Sequence, residues 1–169
     1  PCVPSFRSYP VHSTDSENTG LRSRKIRIYP NFEQGRILRH WFGVSRYVYN
    51  KTIEYLKKPG TKANWREIKL WLLKDLPEWC DGVPVQVKAI AVRDACQAVK
   101  NAKVKWKRER KYSEVTFRSR TSTSQTIFIP KSAMNPTRGP SPTMLGEMRV
   151  STVLQPPQGA CRLTYSTGR

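Results

Sequence analysis

The sequence predicts an α+β chain in which one strand opens, helices follow and strands close. Three observations predict it. "KIRIY", Lys25 to Tyr29, alternates charge with Ile at the period of a half-buried strand. Residues 32–111 carry apolar side chains at helical spacing, punctuated by Pro77 and Pro84. From Tyr112 onward, β-branched and aromatic runs return between Pro- and Gly-containing stretches. That order is a β module with a helical insertion after its first strand.

Residues 1–22 mix Pro, Ser and Thr without periodicity and read as a disordered tail. Pro30 ends the first strand, and Asn31 with Gln34 three residues later forms a capping-box pattern for a first helix. At about 100° per residue, Ile37, Leu38, Trp41, Phe42, Val48, Tyr49, Ile53, Tyr55 and Leu56 fall on one face. Arg36, Arg39, His40, Gly43, Arg46, Tyr47, Asn50 and Lys51 fall on the other. Gly43 costs about 1 kcal/mol relative to Ala in a helix, yet it lies where a partner's backbone gains close approach. Tyr47 sits amid the cations, placed to stack on a base or ribose.

A second helix is expected from Asn64, with Glu67 at the capping-box position, to Leu76 before Pro77. A long third helix follows, with Pro84 in its first turn and "KWKRERK" at its end. Ala91, Ala95, Ala98 and Ala102 form a flat strip for close helix packing. Arg93, Lys100 and Lys107, spaced by seven, share a face with Lys103. Four strands are expected in "EVTFRSR", "QTIFIPK", "EMRVSTVL" and "CRLTYS", and a hairpin turn at Thr167 and Gly168. The expected organisation is a tail over 1–22, a β module over 23–31 and 112–169, and a helical insert over 32–111.

Lys and Arg number 31 against 12 Asp and Glu, a net charge of +19. Such a charge opposes compaction unless a polyanion offsets it, and nucleic acid is the usual one. A membrane partner is disfavoured, because no apolar run approaches the roughly 18 residues a spanning helix needs. Cys2, Cys80, Cys96 and Cys161 lie far apart without the paired spacing of a zinc site, so a reducing interior is expected, with Cys96 in the core. No signal peptide is visible.

Nothing points to a catalytic or metal-binding centre in this chain. Asp15, Asp75, Asp81 and Asp94 are dispersed, His12 lies in the tail and His40 rides the basic face. Phosphate-loop and nucleophile-elbow patterns are absent. Binding is the better expectation. A lone Arg36 or Lys100 reads as a solvated cation. The stripe as a whole, with few acidic residues at helical spacing around Arg36, Arg39 and Arg46, reads as a phosphate-contacting face. Trp41, Tyr49 and Trp71 read as core. "RSRTSTSQ", Arg118 to Gln125, reads equally as a polar turn or a nucleic-acid loop, and "KWKRERK" as a phosphate patch or a nuclear address.

"KIRIYPNFEQGRILRHWFGVSRYVYN" resembles the opening of transposon-encoded TnpB proteins and their eukaryotic relatives, the Fanzor proteins. Strand, Tyr-Pro and a helix through Gln34, Gly43, Arg46 and "YVYN" carry the likeness. "VPVQVKAIAVRDACQAVKNA" is similar to their next helix through Pro84, Gln86, Arg93, Asp94, Ala98 and Lys100, and the later β segments follow in order. The resemblance implies a wedge-type, OB-like β-barrel, incomplete at its C-terminal side, with an inserted helical recognition domain. It implies the front part of an RNA-guided DNA endonuclease. Guide RNA of the ωRNA kind and target double-stranded DNA would be its partners, and a RuvC domain, with its Mg2+, would cut.

The RuvC carboxylates and zinc-ribbon cysteines of the family have no counterpart here, so a non-catalytic segment, a truncated paralogue or one piece of a split protein is expected. The last would have a separate RuvC-bearing polypeptide as a further partner, and no cofactor is expected in this chain. By position, the first helix and the β segments, with Lys25, Arg27 and Tyr29, would hold RNA and heteroduplex. Asn64, Gln86, Lys88, Arg120, Thr121, Ser122, Thr123, Ser124 and Gln125 would face the motif-bearing duplex. Val85 and Ala89 are apolar where several relatives place polar readers, and Gln86 with Lys88 would stand in for them. The location would be the nucleus for a Fanzor-like protein, the cytoplasm or nucleoid for a bacterial one. A nuclease-lacking RNA-guided repressor and a plain basic structural RNA-binding protein are the competing expectations.

Overall fold

The computed structural model describes residues 5–7, 25–110, 114–122, 124–134, 145–146, 148–151 and 159–166. The chain divides into two compact units, Pro1–Arg39 with Thr123–Arg169, and His40–Ser122. The nesting is that of an insertion, with borders inside the first helix and at 122/123.

The first unit is built on a five-stranded antiparallel sheet, β1 (Ser5–Arg7), β2 (Lys25–Tyr29), β3 (Ser124–Ile129), β4 (Arg149–Val150) and β5 (Cys161–Ser166), in the order β3-β5-β1-β2-β4. Alternation decides the register, since a one-residue slip would expose every Ile. Ile26 and Ile28 are buried between exposed Lys25, Arg27 and Tyr29. Ile127 pairs with Leu163, and Ile129 with Cys161, all four buried. Burial pushes the Cys161 thiol up to about 11, as expected of a small apolar packing residue. β1 lies within the stretch read as a tail, and its pairing with β2 and β5 was not visible in the Pro- and Ser-rich composition around it.

The helix α1 (Phe32–Leu56) starts in this unit and continues into the second. Its beginning is the expected capping box: the Gln34 N–H donates to Asn31 Oδ1 at 2.8 Å, and the Asn31 N–H donates to Gln34 Oε1 at 3.0 Å. The Gln34 amide also donates to the Leu145 carbonyl at 3.0 Å, so one side chain closes the cap and secures a distant segment.

The second unit holds the rest of α1 with α2 (Trp65–Leu72) and α3 (Val85–Glu109). α1 stops where Pro59 lacks an N–H and Gly60 takes φ +78°, and the Thr61 hydroxyl donates to the Leu56 carbonyl at 3.1 Å. α2 is shorter than expected; its N-cap Asn64 accepts from the Arg66 N–H at 3.3 Å, while Glu67 takes the Asn64 side-chain amide at 2.6 Å. α3 begins directly after Pro84, the N-cap. The core gathers Trp41, Val44, Val48, Ile53, Ile68, Val87, Val92 and Cys96; of the expected four-alanine strip, Ala91 and Ala95 are buried, whereas Ala98 and Ala102 are half-exposed. Trp71 departs from its core expectation: it is 41% exposed and meets Tyr55 edge-on, with ring centroids 4.9 Å apart.

"EVTFRSR" does not form the strand its alternation suggests. The Asn50 side chain occupies the main chain of Arg118 instead, donating to its carbonyl at 3.1 Å and accepting from its N–H at 2.8 Å. Lys57 holds Glu114 at 2.7 Å. The main-chain groups of Arg118 are thus satisfied by a side chain of α1, with no sheet ladder required. Thr123, Cys2, most of the Pro-rich 131–146 stretch and the Thr167–Gly168 turn lie outside the described residues. Among the described residues no helix is long and apolar enough to cross a membrane, and no group of three His, Cys, Asp or Glu side chains comes together.

Candidate nucleic-acid interface

In the sheet unit, the face opposite the buried Ile residues is polar and basic. Lys25 and Arg27 of β2 and Arg162 of β5 are exposed. The Arg149 guanidinium lies 5.9 Å from the centroid of the Tyr29 ring, and the Arg27 N–H donates to Ser151 Oγ at 3.1 Å. On α1, Arg39 is exposed, whereas Arg36 meets Glu33 at 2.9 Å. That pair corrects the expectation of a stripe without acidic partners: Glu33 is three residues back, on the same face. Both side chains are exposed, so the pair is weak and an incoming phosphate competes with it. Ser124 and Gln125 open β3 opposite Ser166 and Tyr165.

In the helical unit, α1 and the segment 114–122 bring a second group together. Arg46 is held below its ordinary value first by burial and then by the like charge of Arg120. Two guanidiniums kept within reach of each other form a focus for an anion. Arg120 rides a turn in which the Thr121 N–H donates to Ser119 Oγ at 3.1 Å, and Thr121 and Ser122 beside it are exposed. Tyr47 meets the Trp79 ring edge-on at 4.8 Å between centroids, and His40 meets the same ring at 6.5 Å. Trp79, 49% exposed, was missed by sequence reasoning because its short 3-10 turn, Glu78–Cys80, has no periodicity; an unexplained Trp between Pro77 and Gly82 was the only signal.

The remaining candidates divide. Asn50 and Arg118 serve the fold: besides the main-chain bonds, the Arg118 guanidinium lies 3.8 Å from the Tyr49 ring centroid and 3.9 Å from Asp94. Lys51 pairs with Glu54 at 3.1 Å, which raises its pKa. Lys88 is buried and donates to the Cys80 carbonyl at 3.3 Å, holding the turn that carries Trp79; it stabilises the site from beneath, and Gln86 and Val85 are the exposed side chains there. Asn64 is occupied as the α2 cap. Arg93, Lys100, Lys103 and Lys107 are exposed along α3. Gly43 is helical, and a Cβ added there meets no atom within 4 Å.

A strand leading into a capped, basic, amphipathic helix is the part of the chain that defines its class. A helix-turn-helix domain profile of the OrfB/IS605 type matches residues 20–59, whose described part comprises β2 and α1 with the turn after it. A TnpB-like protein of Acanthamoeba polyphaga mimivirus is 50% identical over 74 residues, which cover 44% of this chain and 14% of the viral protein. The chain therefore spans a small share of that relative's length. The two matches bear out the resemblance to TnpB: the chain carries a TnpB-family segment.

Proposed function

We propose that this chain is the nucleic-acid-binding portion of a TnpB- or Fanzor-like RNA-guided DNA endonuclease, with a RuvC domain supplying cleavage. Arg46 and Arg120, whose like charges act on each other, and the exposed Trp79 ring that Tyr47 and His40 meet carry the proposal, because cations together with an exposed aromatic suit a phosphate-and-base ligand. The helix-turn-helix match favours DNA as one ligand, and the basic sheet face supplies a second surface for guide RNA. The sheet would be part of a wedge-type barrel and α2 with α3 part of its recognition insert. In such a division of labour, protein reads shape and a short motif while base pairing reads sequence.

Fluorescence anisotropy with duplex DNA and with structured RNA across a salt series tests this. Binding should weaken steeply with salt, and a double Arg46→Ala, Arg120→Ala variant should lower the log–log slope by about two, one for each phosphate no longer neutralised. Absent or salt-insensitive binding defeats the proposal. Binding of the wild type with an unchanged slope in the variant removes this site from it.

A further inference from the structure

We propose that the groove between the C-terminal halves of α1 and α3 takes up unstacked bases of a single nucleic-acid strand. Trp106 is its stacking surface, and Lys103 and Lys107 are its phosphate contacts. The inference rests on the nucleic-acid reading above and adds the form of nucleic acid that this surface accepts.

The groove has a volume of about 840 Å³, within the range of roughly 300–1,000 Å³ typical of ligand pockets. Ile53 and Leu56 of α1 and Val99 and Ala102 of α3 make it apolar. Trp106 also lines it and remains 45% exposed, so its ring is open to a ligand. Its position is fixed by the end of α3: Arg110 adopts φ 53°, its N–H donates to the Trp106 carbonyl at 2.8 Å, and its guanidinium lies 5.3 Å from the ring centroid.

Charge selects the occupant. Glu114, the acid of the groove, is neutralised by Lys57 at 2.7 Å, and Lys57 also lies over the Phe117 ring at 4.7 Å. Lys103 and Lys107 form no ion pair among the described residues. They lie one helical turn apart, about 6 Å along the axis, with Trp106 between them in sequence. A flat ring system joined to successive anions matches this arrangement, and every base offers such a face. In a duplex the base faces are stacked on one another, so the groove favours an open strand. An acidic amphipathic peptide shares the charge sign but lacks an obligatory flat ring for the indole.

The full 169-residue chain should be titrated against an unstructured single-stranded RNA and, separately, a duplex of equal length, with circular dichroism as a folding control. Trp106→Ala should weaken single-strand binding roughly ten-fold or more while leaving duplex binding within about two-fold. Ala102→Phe, which fills the groove and keeps it apolar, should do the same and decides the matter if Trp106→Ala fails to fold. A Lys103→Glu, Lys107→Glu double variant should lower the salt slope for the single strand by about two. Equal losses for both ligands, or none, overturn the groove proposal while leaving the nucleic-acid reading intact. A wild type that binds neither ligand overturns that reading and the groove with it. Capture of an acidic peptide at the groove, with single-strand binding unaffected by Ala102→Phe, assigns it to a protein partner and also overturns the proposal.

Discussion

At Gly43 stability and binding pull in opposite directions. An added methyl meets open space, so Gly43→Ala should raise the unfolding free energy by about 1 kcal/mol through helix propensity alone. The same methyl stands where a nucleic-acid backbone would approach α1. Denaturant unfolding and anisotropy on one preparation separate the two: higher stability with weaker nucleic-acid affinity is the expected pair, and Gly43→Phe should deepen the affinity loss without unfolding the chain. Higher stability with undiminished affinity for both variants would show a face that only water touches. Tyr47 and Trp41 illustrate what single residues disclosed in the sequence. Each lay on the face its 100° step assigned, Trp41 buried and Tyr47 beside the cations. Trp79 had no such step, because its turn is too short for a period and is held in part by the Lys88 ammonium, eight residues beyond Cys80.

Among the elements, those with local signals were legible. α1 starts where Asn31 and Gln34 exchange bonds, and α3 starts after Pro84, because both signals act within one turn of chain. β2 followed from alternation, β3 from a β-branched and aromatic run, and β5 from the expected strand "CRLTYS". The segment 114–122 satisfied the same alternation and formed no strand, since what decided it was Asn50, 68 residues from Arg118, reaching its main chain. Asn50→Ala removes both of those bonds, at a cost of about 1–3 kcal/mol given roughly 0.5–1.5 kcal/mol for each. Native-state hydrogen exchange should then show the Arg118 amide losing protection, with the β3 amides Ile127 and Ile129 unaffected. Uniform loss across both units would mean the effect is not local to this segment. The second tie responds to acid. Lys57 holds the Glu114 carboxyl below its ordinary value of 4.5, so the pairing is complete above that value and disappears as pH falls through the lowered one.

For the whole molecule, the charge of +19 was the plainest feature of the sequence and the one that indicated a polyanionic partner. Which cations serve that partner was not legible, because it depends on who else is near. Arg36 found Glu33, Lys51 found Glu54 and Arg118 was drawn onto Tyr49, and Arg120 acts as a like charge on Arg46. Self-repulsion of this size should make folding stability depend on anions. Adding a short heparin or polyphosphate should raise the melting temperature by several degrees, and an equal concentration of a neutral polymer should not, because ligands that prefer the folded state stabilise it by mass action. An unchanged melting temperature with polyanion would mean the charge is already balanced within the fold.

The nested strand order also bears on how the chain is made. β2 pairs with β1, and β1 with β5, so Phe6 meets Ile26 early and Leu163 only after the entire helical unit has been synthesised. At translation rates of roughly 5–20 residues per second, the opening strands wait on the order of ten seconds for β3 and β5. During that interval the apolar row of β2 has no completed sheet to bury it, while α1, α2 and α3 already have one another. The inserted helices are therefore positioned to fold before the sheet unit closes, which leaves the paired β1 and β2 in need of protection on the ribosome in the meantime.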